Sequence, residues 1–260
     1  MKKSLIALLI VVATCASFAF ANGTKESQEK ESYVFAGNAE WPPLEYVDEK
    51  GNIVGYEVEL LQEIAKVSGK TITFRNVAWD GIFAGLANGA YDAVASGVSV
   101  TEERKATMDF STPIMTITQA IIAPASTPEI KDLKSMSGKK VGTQMGTTGD
   151  LYLQDQNAKD PNLKITDKGY DSIGLAVEDL LNGNLDCVVC DSVIASDYVL
   201  SNPNYKGKLI VTGKASDTGE PIALAIKKGD AALLKICNDA LETLKRNGTL
   251  EQLNKKWNII

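Results

Sequence analysis

Hydroxyl, backbone and carboxylate groups follow two apolar, strand-like segments of this 260-residue chain. The first segment runs into Ser96, Gly97 and Ser99, and the second runs into Asp191. In open α/β sheets, ligands bind outside the carboxyl ends of the strands. If each segment belongs to its own lobe, two facing lobes present these groups to a shared cleft. The four residues are therefore candidates for contacts with a small ligand.

Two further segments have the chemistry to hold an anion, and each also has an ordinary structural interpretation. Arg104 carries a fixed fork of donors that suits a carboxylate, although residues 102–105 also have the composition of an exposed helix. Thr147 and Thr148 lie between a predicted strand and a predicted helix, where N–H groups can bind an anion. This loop lacks the Walker pattern, which disfavours phosphate, and a plain strand–helix turn is the alternative.

The chain contains no histidine. Ser-His-Asp and Cys-His mechanisms are therefore excluded, and no imidazole is available for zinc. Cys187 and Cys190 have the spacing of a redox or metal motif, but three residues along a strand span ~10 Å, which is beyond the reach of a disulfide. We expect these cysteines to be buried filler, and we predict no catalytic residue, metal or cofactor.

Short strand-like segments alternate with helical periods, which predicts parallel sheets covered by helices. One predicted helix buries Leu60 and Ile64 and ends at Gly69. The apolar residues 114–123 predict a strand that crosses into a second lobe. Residues 212–221 have the composition of a loop, and residues 222–226 predict the strand that returns. Two crossings predict a two-stranded hinge.

An internal repeat also favours two lobes of similar design. Residues 86–94 match residues 180–188 position by position. Each copy contains a helix end, an Asn-Gly pair, an aspartate (Asp92 or Asp186) and a buried strand. Short helix–strand repeats also arise by chance or from common packing demands, so the repeat alone is suggestive.

The N-terminal residues predict export. Lys2 and Lys3 precede the apolar residues 5–13, and small residues end at Ala21, which is typical of a secretory signal peptide over residues 1–21. Lipid attachment at Cys15 is the alternative. The polar residues 22–32 predict a flexible leader. We expect a periplasmic protein, or an extracytoplasmic lipoprotein if Cys15 is modified.

The balance of charge limits the partners. Lys and Arg total 27 and Asp and Glu total 33, which gives a net charge of −6. An acidic chain with no basic run argues against nucleic acid or an anionic membrane as partner. No second long apolar stretch follows the signal segment, so we expect the mature protein not to span a membrane.

Four short motifs lie in order along the chain. They are Gly55-Tyr56-Glu57-Val58-Glu59-Leu60, Ser99-Val100-Thr101-Glu102-Glu103-Arg104, Asp109-Phe110-Ser111 and Lys255-Lys256-Trp257. With these motifs the chain resembles the bacterial family 3 solute-binding proteins, which are the amino acid receptors of ABC importers. The resemblance covers about Tyr33 to Trp257.

The resemblance implies an α/β periplasmic-binding-protein type II fold, in which two α/β lobes are joined by a two-stranded hinge. Lobe one is expected over residues 33–116 and 221–260, and lobe two over residues 117–220. It further implies a monomer that closes on one free polar amino acid and delivers it to an ABC transporter permease. On this interpretation the protein is not an enzyme.

The resemblance also assigns roles within the cleft. Arg104 would bind the ligand carboxylate and Asp191 the ammonium group. Trp41 and Trp79 match the aromatic positions that enclose the ligand side chain. The positions that vary with the ligand are occupied by Asn38, Glu40, Gln144 and Cys190. The full set of predicted ligand-binding residues is Asn38, Glu40, Trp41, Trp79, Ser96, Gly97, Ser99, Arg104, Gln144, Thr147, Thr148 and Asp191.

The identity of the ligand follows from the expected side-chain pocket. No Lys or Arg is predicted there, so an acidic ligand would bring a carboxylate without a partner. Two indole faces favour a flat cation by ~0.5–2 kcal/mol each when desolvated, and Glu40 adds negative charge. These features favour a basic amino acid, arginine first. The alternatives are a glutamine receptor, or an enzyme on the same fold such as a cyclohexadienyl dehydratase, which uses cleft carboxylates and lysine.

Overall fold

A computed structural model of the chain describes residues 30–259. The predicted signal peptide, the alternative lipidation residue Cys15 and most of the leader lie outside the described residues. Ser32, the last residue of the predicted leader, already pairs with Thr71 in a sheet. Across residues 30–259, no helix is both long and apolar enough to cross a membrane.

Strands and helices alternate along the described residues. Up to the first crossing strand they are β1 (Ser32–Gly37), β2 (Glu40–Trp41), β3 (Glu45–Val47), β4 (Ile53–Val54), α1 (Tyr56–Ser68), β5 (Thr71–Asn76), α2 (Ile82–Asn88), β6 (Ala93–Val94), α3 (Glu102–Thr107) and β7 (Met108–Phe110). The middle of the chain forms β8 (Met115–Pro124), a short 3-10 helix (Lys134–Met136), β9 (Lys140–Gln144), α4 (Thr148–Lys159), β10 (Thr166–Tyr170), α5 (Ile173–Leu181), β11 (Cys187–Asp191), α6 (Ser192–Leu200) and β12 (Leu209–Ile222). The last elements are β13 (Ala225–Lys227), α7 (Ala231–Arg246) and α8 (Thr249–Lys256).

Two five-stranded sheets organise the molecule. We call the part built on the sheet β5-β1-β6-β13-β7 the first half, and the part built on β10-β9-β11-β8-β12 the second half. In the first sheet β1 runs parallel to β5 and β6, whereas β13 runs antiparallel to β6 and β7. The second sheet repeats this pattern with β9, β10, β11, β8 and β12. The strands β2, β3 and β4 form a third, small sheet.

The sequence repeat has equivalent roles in the two halves. Asp92 precedes β6, and its carboxylate accepts the N–H of Val34 in β1 at 2.8 Å. Asp186 precedes β11, and its carboxylate accepts the N–H of Lys140 in β9 at 2.8 Å. Each aspartate thus joins the start of its short strand to the neighbouring parallel strand. The repeat is therefore a structural equivalence and not a coincidence of composition.

The crossing strands differ from the prediction in one respect. The predicted strand over residues 114–123 corresponds to β8, but the predicted loop over residues 212–221 is wrong. These residues belong to β12, which pairs antiparallel with β8 through three register shifts. The polar and glycine residues of this segment have the composition of a loop, and the register shifts interrupt the alternation of apolar and polar side chains that would indicate a strand. Pairing with β8 nevertheless keeps the backbone extended.

Helix α1 shows how local signals produce the core. Its apolar face buries Leu60 and Ile64 completely, and each such side chain contributes ~1.5–3 kcal/mol when removed from water. The helix ends where Gly69 takes a left-handed conformation with φ 71°, as predicted. Cys187, Cys190 and Cys237 are free and buried.

Candidate ligand-binding cleft

One cavity lies between the two halves, where β1, β6, β9 and β11 reach their carboxyl ends. About 310 Å³ of space not filled by protein atoms, part of it open to solvent, lies between its lining residues. Every residue predicted to contact ligand lines it, except Glu40. The lining residues are Asn38, Trp41, Trp79, Ser96, Gly97, Ser99, Arg104, Gln144, Thr147, Thr148 and Asp191.

The segment after β6 forms part of the first-half wall. The hydroxyl of Ser96 accepts the backbone N–H of Asn38 at 3.0 Å, which ties the ends of β6 and β1 together. Gly97 has φ 56°, and a Cβ there would lie 2.9 Å from Nε1 of Trp41. Both the backbone conformation and the close approach of the indole require glycine at this position.

Arg104 projects from α3 into the cavity and reaches both halves. Thr101 caps the helix by accepting the N–H of Arg104 at 3.1 Å. The guanidinium donates to the carbonyl of Ser99 at 3.0 Å and to the carbonyl of Gly146, across the cleft, at 3.4 Å. The hydroxyls of Ser99 and Thr148 also approach to 3.3 Å across the cleft. The two halves are therefore in contact, and Arg104 is not a solvated helix charge.

Aromatic rings and carboxylates surround the guanidinium. Its carbon lies 4.9 Å from the ring centroid of Phe83 and 5.8 Å from that of Trp79. Burial lowers the pKa of Arg104, while the carboxylates of Asp191 and Glu220 act in the opposite direction. An arginine remains charged under any such shift. The cavity thus holds one permanent cation, fixed by two carbonyl groups.

The loop before α4 holds itself together through its own N–H groups. The N–H of Gly146 donates to the carboxylate of Asp150 at 2.7 Å, and the N–H of Thr147 donates to the carbonyl of Gln144 at 3.3 Å. These bonds occupy the N–H groups of Gly146 and Thr147 but not those of Thr148 and Gly149, so the binding of an anion by this loop stays a prediction. Thr147 begins the helix, because its hydroxyl accepts the N–H of Asp150 at 3.4 Å.

Asp191 ends β11 and is buried in the second-half wall. Its side chain does not cap α6. It accepts the amide of Gln119 at 2.9 Å instead. Burial raises the pKa of Asp191 to about 7; the Glu220 carboxylate pushes in the same direction, whereas Gln119, Arg104 and the Trp41 indole oppose it. A cation placed beside this carboxylate would hold it in the ionised form.

Two residues of this wall, Gln119 and Glu220, were not predicted. Gln119 is fully buried in β8, and its amide nitrogen lies 3.1 Å from Oγ1 of Thr148 and 3.2 Å from Oε1 of Glu220. The other Glu220 oxygen is buried without a hydrogen-bond partner among the described residues. Gln119 could have been predicted as a cleft residue, because it is a polar amide within an otherwise apolar strand. Glu220 had none, because it fell in the segment predicted as a loop.

The two tryptophans lie in the cavity wall as predicted from the resemblance. Trp41 is 6% exposed, and its indole N–H has no hydrogen-bond partner among the described residues. Trp79 packs edge-on against Phe83, with ring centroids 5.2 Å apart. An unpaired buried donor costs free energy unless a ligand or water satisfies it. Because the Trp41 indole lowers the pKa of Asp191, its N–H lies close to that carboxyl group.

Glu40 does not line the cavity, and its prediction as a side-chain contact requires correction. Side chains alternate along a strand, so the burial of Trp41 in β2 turns Glu40 to the opposite face. Glu40 is exposed and borders a wider outer vestibule, which also contains Asp80 and Asp171. The outer vestibule adjoins the cavity through Asn38 and Trp79, which line both.

Two amide side chains stand between the cavity and the outer vestibule. The Gln144 amide donates to the carbonyl of Asp171 at 3.0 Å and approaches Oδ1 of Asn38 at 3.5 Å. The Gln144 carbonyl oxygen is buried and has no donor among the described residues. It is an acceptor without a partner. Cys190, which the resemblance placed at a ligand-dependent position, packs in the core instead of lining the cavity.

Two α/β halves with the same strand order, facing each other across one polar cavity, define the class of the protein. This is the type II architecture of periplasmic binding proteins. The family model for bacterial extracellular solute-binding proteins, family 3, matches residues 33–259. The chain belongs to this family, which confirms the prediction made from the four motifs.

Similar proteins bind amino acids. A probable histidine-binding protein of Neisseria gonorrhoeae is 39% identical over 86% of this chain and 82% of its own length. An ancestral arginine-binding protein bound to arginine is 34% identical, with a TM-score of 0.82 over 88% of this chain and 99% of that one. The arginine-, lysine-, histidine-binding protein ArtJ of Geobacillus stearothermophilus is 32% identical, with a TM-score of 0.78 over 87% and 94%.

Proposed function

We propose that the protein is an extracytoplasmic receptor that binds a basic amino acid, arginine first, for an ABC importer. One observation carries the proposal. A single cavity is lined by the guanidinium of Arg104 from one half and by the carboxyl group of Asp191 from the other, and its remaining lining residues include two indoles but no second cation. The names of its relatives, which bind arginine, lysine or histidine, support the same ligand class.

The backbone groups of a free amino acid match the two walls. The ligand carboxylate pairs with Arg104, whose planar fork suits bidentate binding. The ligand ammonium pairs with Asp191, and the Glu220 carboxylate, which acts on the same group, adds negative charge behind it. Because the two partners come from different halves, the ligand is held fully only when both halves contact it, which favours closure on binding.

The side chain of a basic ligand would extend between the indoles toward Asn38 and Gln144. Each indole face stabilises a desolvated cation by ~0.5–2 kcal/mol. The Gln144 oxygen without a partner accepts a guanidinium N–H. An acidic side chain would find no second cation among the cavity residues, so aspartate and glutamate are disfavoured. The neutral amide of glutamine could use the same amide groups, and it stays the alternative.

The proposal also includes the limits of the two lobes and the permease as the partner. We assign residues 33–116 and 221–260 to one lobe and residues 117–220 to the other. Thr116 pairs with Pro221 and Ile117 pairs with Glu220 in neighbouring rungs of β8 and β12, so the limits fall at the same level of both crossing strands. The closed form would act as a monomer and engage the permease after export by the signal segment at residues 1–21.

Competition calorimetry tests the ligand assignment. We expect arginine to bind tightest, lysine and histidine to follow, and glutamine to bind at least about tenfold more weakly than arginine, a difference of ~1.4 kcal/mol. The reason is that glutamine has no cation to place between the indoles. Glutamine binding tenfold tighter than arginine would refute the cationic ligand.

An enzyme of the cyclohexadienyl dehydratase type is the competing interpretation. That reaction was expected to use cleft carboxylates together with lysine, and no lysine lines the cavity among the described residues. Turnover of prephenate or arogenate by the purified protein would overturn the assignment as a receptor. Binding of arginine without turnover of either compound supports it.

Glu40→Gln should leave arginine affinity within about threefold of wild type, because exposed charges in water are screened and contribute little. Glu40 faces the outer vestibule and not the cavity. Calorimetry at physiological salt measures the effect. A loss of tenfold or more would mean that the ligand reaches the outer vestibule, and it would restore the original prediction for this residue.

A further inference from the structure

Two carboxyl side chains are buried directly behind the first-half wall of the cavity. Glu45 begins β3 and Glu57 lies in the first turn of α1, and both residues are 0% exposed. Neither lines the cavity. The groups that act on their charge are each other, the Ser96 and Gly97 segment and the Asp191 carboxylate, and none of these is a cation.

The pair is bonded to the wall residues themselves. The hydroxyl of Ser96 donates to Glu45 Oε1 at 2.6 Å, and the N–H of Gly97 donates to Glu57 Oε2 at 2.8 Å. The same Ser96 hydroxyl accepts the N–H of Asn38 at 3.0 Å. Three residues of the cavity wall therefore depend on two carboxyl groups for their position.

One proton is needed to complete this arrangement. The second oxygen of each group, Glu45 Oε2 and Glu57 Oε1, is buried and has no partner N–H or hydroxyl among the described residues. The N–H of Glu57 donates to the carbonyl of Leu44 at 2.9 Å, which places Glu57 beside Glu45, and each carboxyl group acts on the pKa of the other. Two ionised carboxylates in contact without a cation repel, whereas a single shared proton turns the contact into a hydrogen bond.

Burial acts in the same direction on both groups. It raises the pKa of Glu57 to about 7 and raises the pKa of Glu45 well above its ordinary value. The buried hydroxyl of Tyr56 and the Asp191 carboxylate are the other titratable groups nearby. The Asp191 carboxylate further disfavours a second negative charge at Glu45.

We propose that Glu45 and Glu57 are positioning residues for ligand binding, and that one proton held between them fixes the Ser96–Gly97 wall. In this arrangement Glu45 is the protonated partner, which donates to Glu57 and accepts from Ser96. Glu57 accepts from Glu45 and from Gly97. The inference rests on the proposed function only for the ligand used in its test, because the hydrogen bonds lie within the protein.

Glutamine and methionine at position 45 separate the hydrogen bonds from the packing. Glu45→Gln supplies an N–H where the protonated carboxyl has its O–H, and an oxygen for Ser96. Glu45→Met has a similar length but offers neither. The matched control is Glu63→Met on the outer face of α1, where Glu63 pairs with Lys66 at 2.5 Å.

In calorimetry, the arginine affinities of Glu45→Gln and Glu63→Met should lie within about threefold of wild type. The affinity of Glu45→Met should be at least about tenfold weaker, because methionine leaves buried polar groups without hydrogen-bond partners. Ligand-free melting temperatures show whether each variant is folded. Wild-type affinity in folded Glu45→Met would overturn the positioning role. A loss in Glu45→Gln equal to that in Glu45→Met would overturn the assignment of the proton to Glu45. Failure of the wild type to bind any basic amino acid would refute the proposed function instead.

Infrared spectroscopy of the ligand-free protein tests the proton directly and does not depend on binding. At neutral pH the wild type should show a protonated-carboxyl C=O band that is missing in Glu45→Gln. A second acid pair, Asp150 and Asp167, joined through the Thr143 hydroxyl, contributes equally to both spectra. The difference between the two spectra therefore isolates Glu45. Identical spectra would overturn the shared proton even if Glu45→Met does not fold.

Discussion

Replacing Arg104 by alanine should weaken arginine binding by roughly 2–5 kcal/mol, the usual cost of removing one member of a buried, hydrogen-bonded charge pair. The guanidinium is held by the carbonyl groups of Ser99 and Gly146, and the ligand carboxylate would replace none of these contacts. Without Arg104 the ligand carboxylate enters a cavity that is lined by the Asp191 carboxyl group and by no cation among the described residues. The loss should therefore exceed that of any other single cavity residue.

The measurement is calorimetry on folded protein, with Arg104→Lys and Arg75→Ala alongside. Lysine keeps the charge but loses the fork of donors, so its affinity should fall between those of wild type and Arg104→Ala. Arg75 is exposed on β5 and donates to the carbonyl of Ala90 at 2.9 Å. Its removal should leave binding unchanged. If Arg104→Ala binds arginine within threefold of wild type, the ligand carboxylate is not bound at this position.

The second large effect is a loss of affinity at low pH that depends on Asp191. Burial raises the pKa of this carboxyl to about 7 in the ligand-free protein, and the ligand ammonium needs the ionised form. Below that pH, binding must displace a proton. Affinity should therefore fall as the pH drops, by up to about tenfold per unit, since one pKa unit corresponds to ~1.4 kcal/mol. Above that pH, Asp191 imposes no such dependence.

Asp191→Asn should bind arginine weakly, and its affinity should not show this dependence on pH, because the amide neither carries a charge nor titrates. Glu57 and Asp167 also have a pKa of about 7, but they are present in both proteins, so the difference between the profiles belongs to Asp191. Asp197→Asn, in the following helix α6, serves as the control and should keep the slope. An Asp191→Asn profile parallel to that of wild type would mean that the ammonium binds elsewhere.

The amino-acid sequence by itself determined the rhythm of strands and helices and the polar residues at the strand ends, and its resemblance to a known family implied most of the remaining cavity wall. The features read directly from the residues depend on local signals. The Gly69 helix end, the repeated aspartates before β6 and β11, and the residues that follow the strand ends are all set by neighbours in the chain. Such signals can be interpreted without knowing the contacts between distant segments, because each depends on a few neighbouring residues.

Only the tertiary structure decided which way individual polar side chains point and which distant groups meet. Glu40 and Trp41 are adjacent in β2, and their side chains lie on opposite faces of the strand. Glu40 therefore borders the outer vestibule, whereas Trp41 lies in the cavity wall. Gln119 and Glu220 meet because β8 and β12 pair through register shifts that no periodicity reveals. Glu45 in β3 and Glu57 in α1 are both fully buried, and burial raises the pKa of each. Each of these outcomes depends on which strands and helices pack together and on how deeply a polar group is buried. Local residue types encode neither the packing nor the burial.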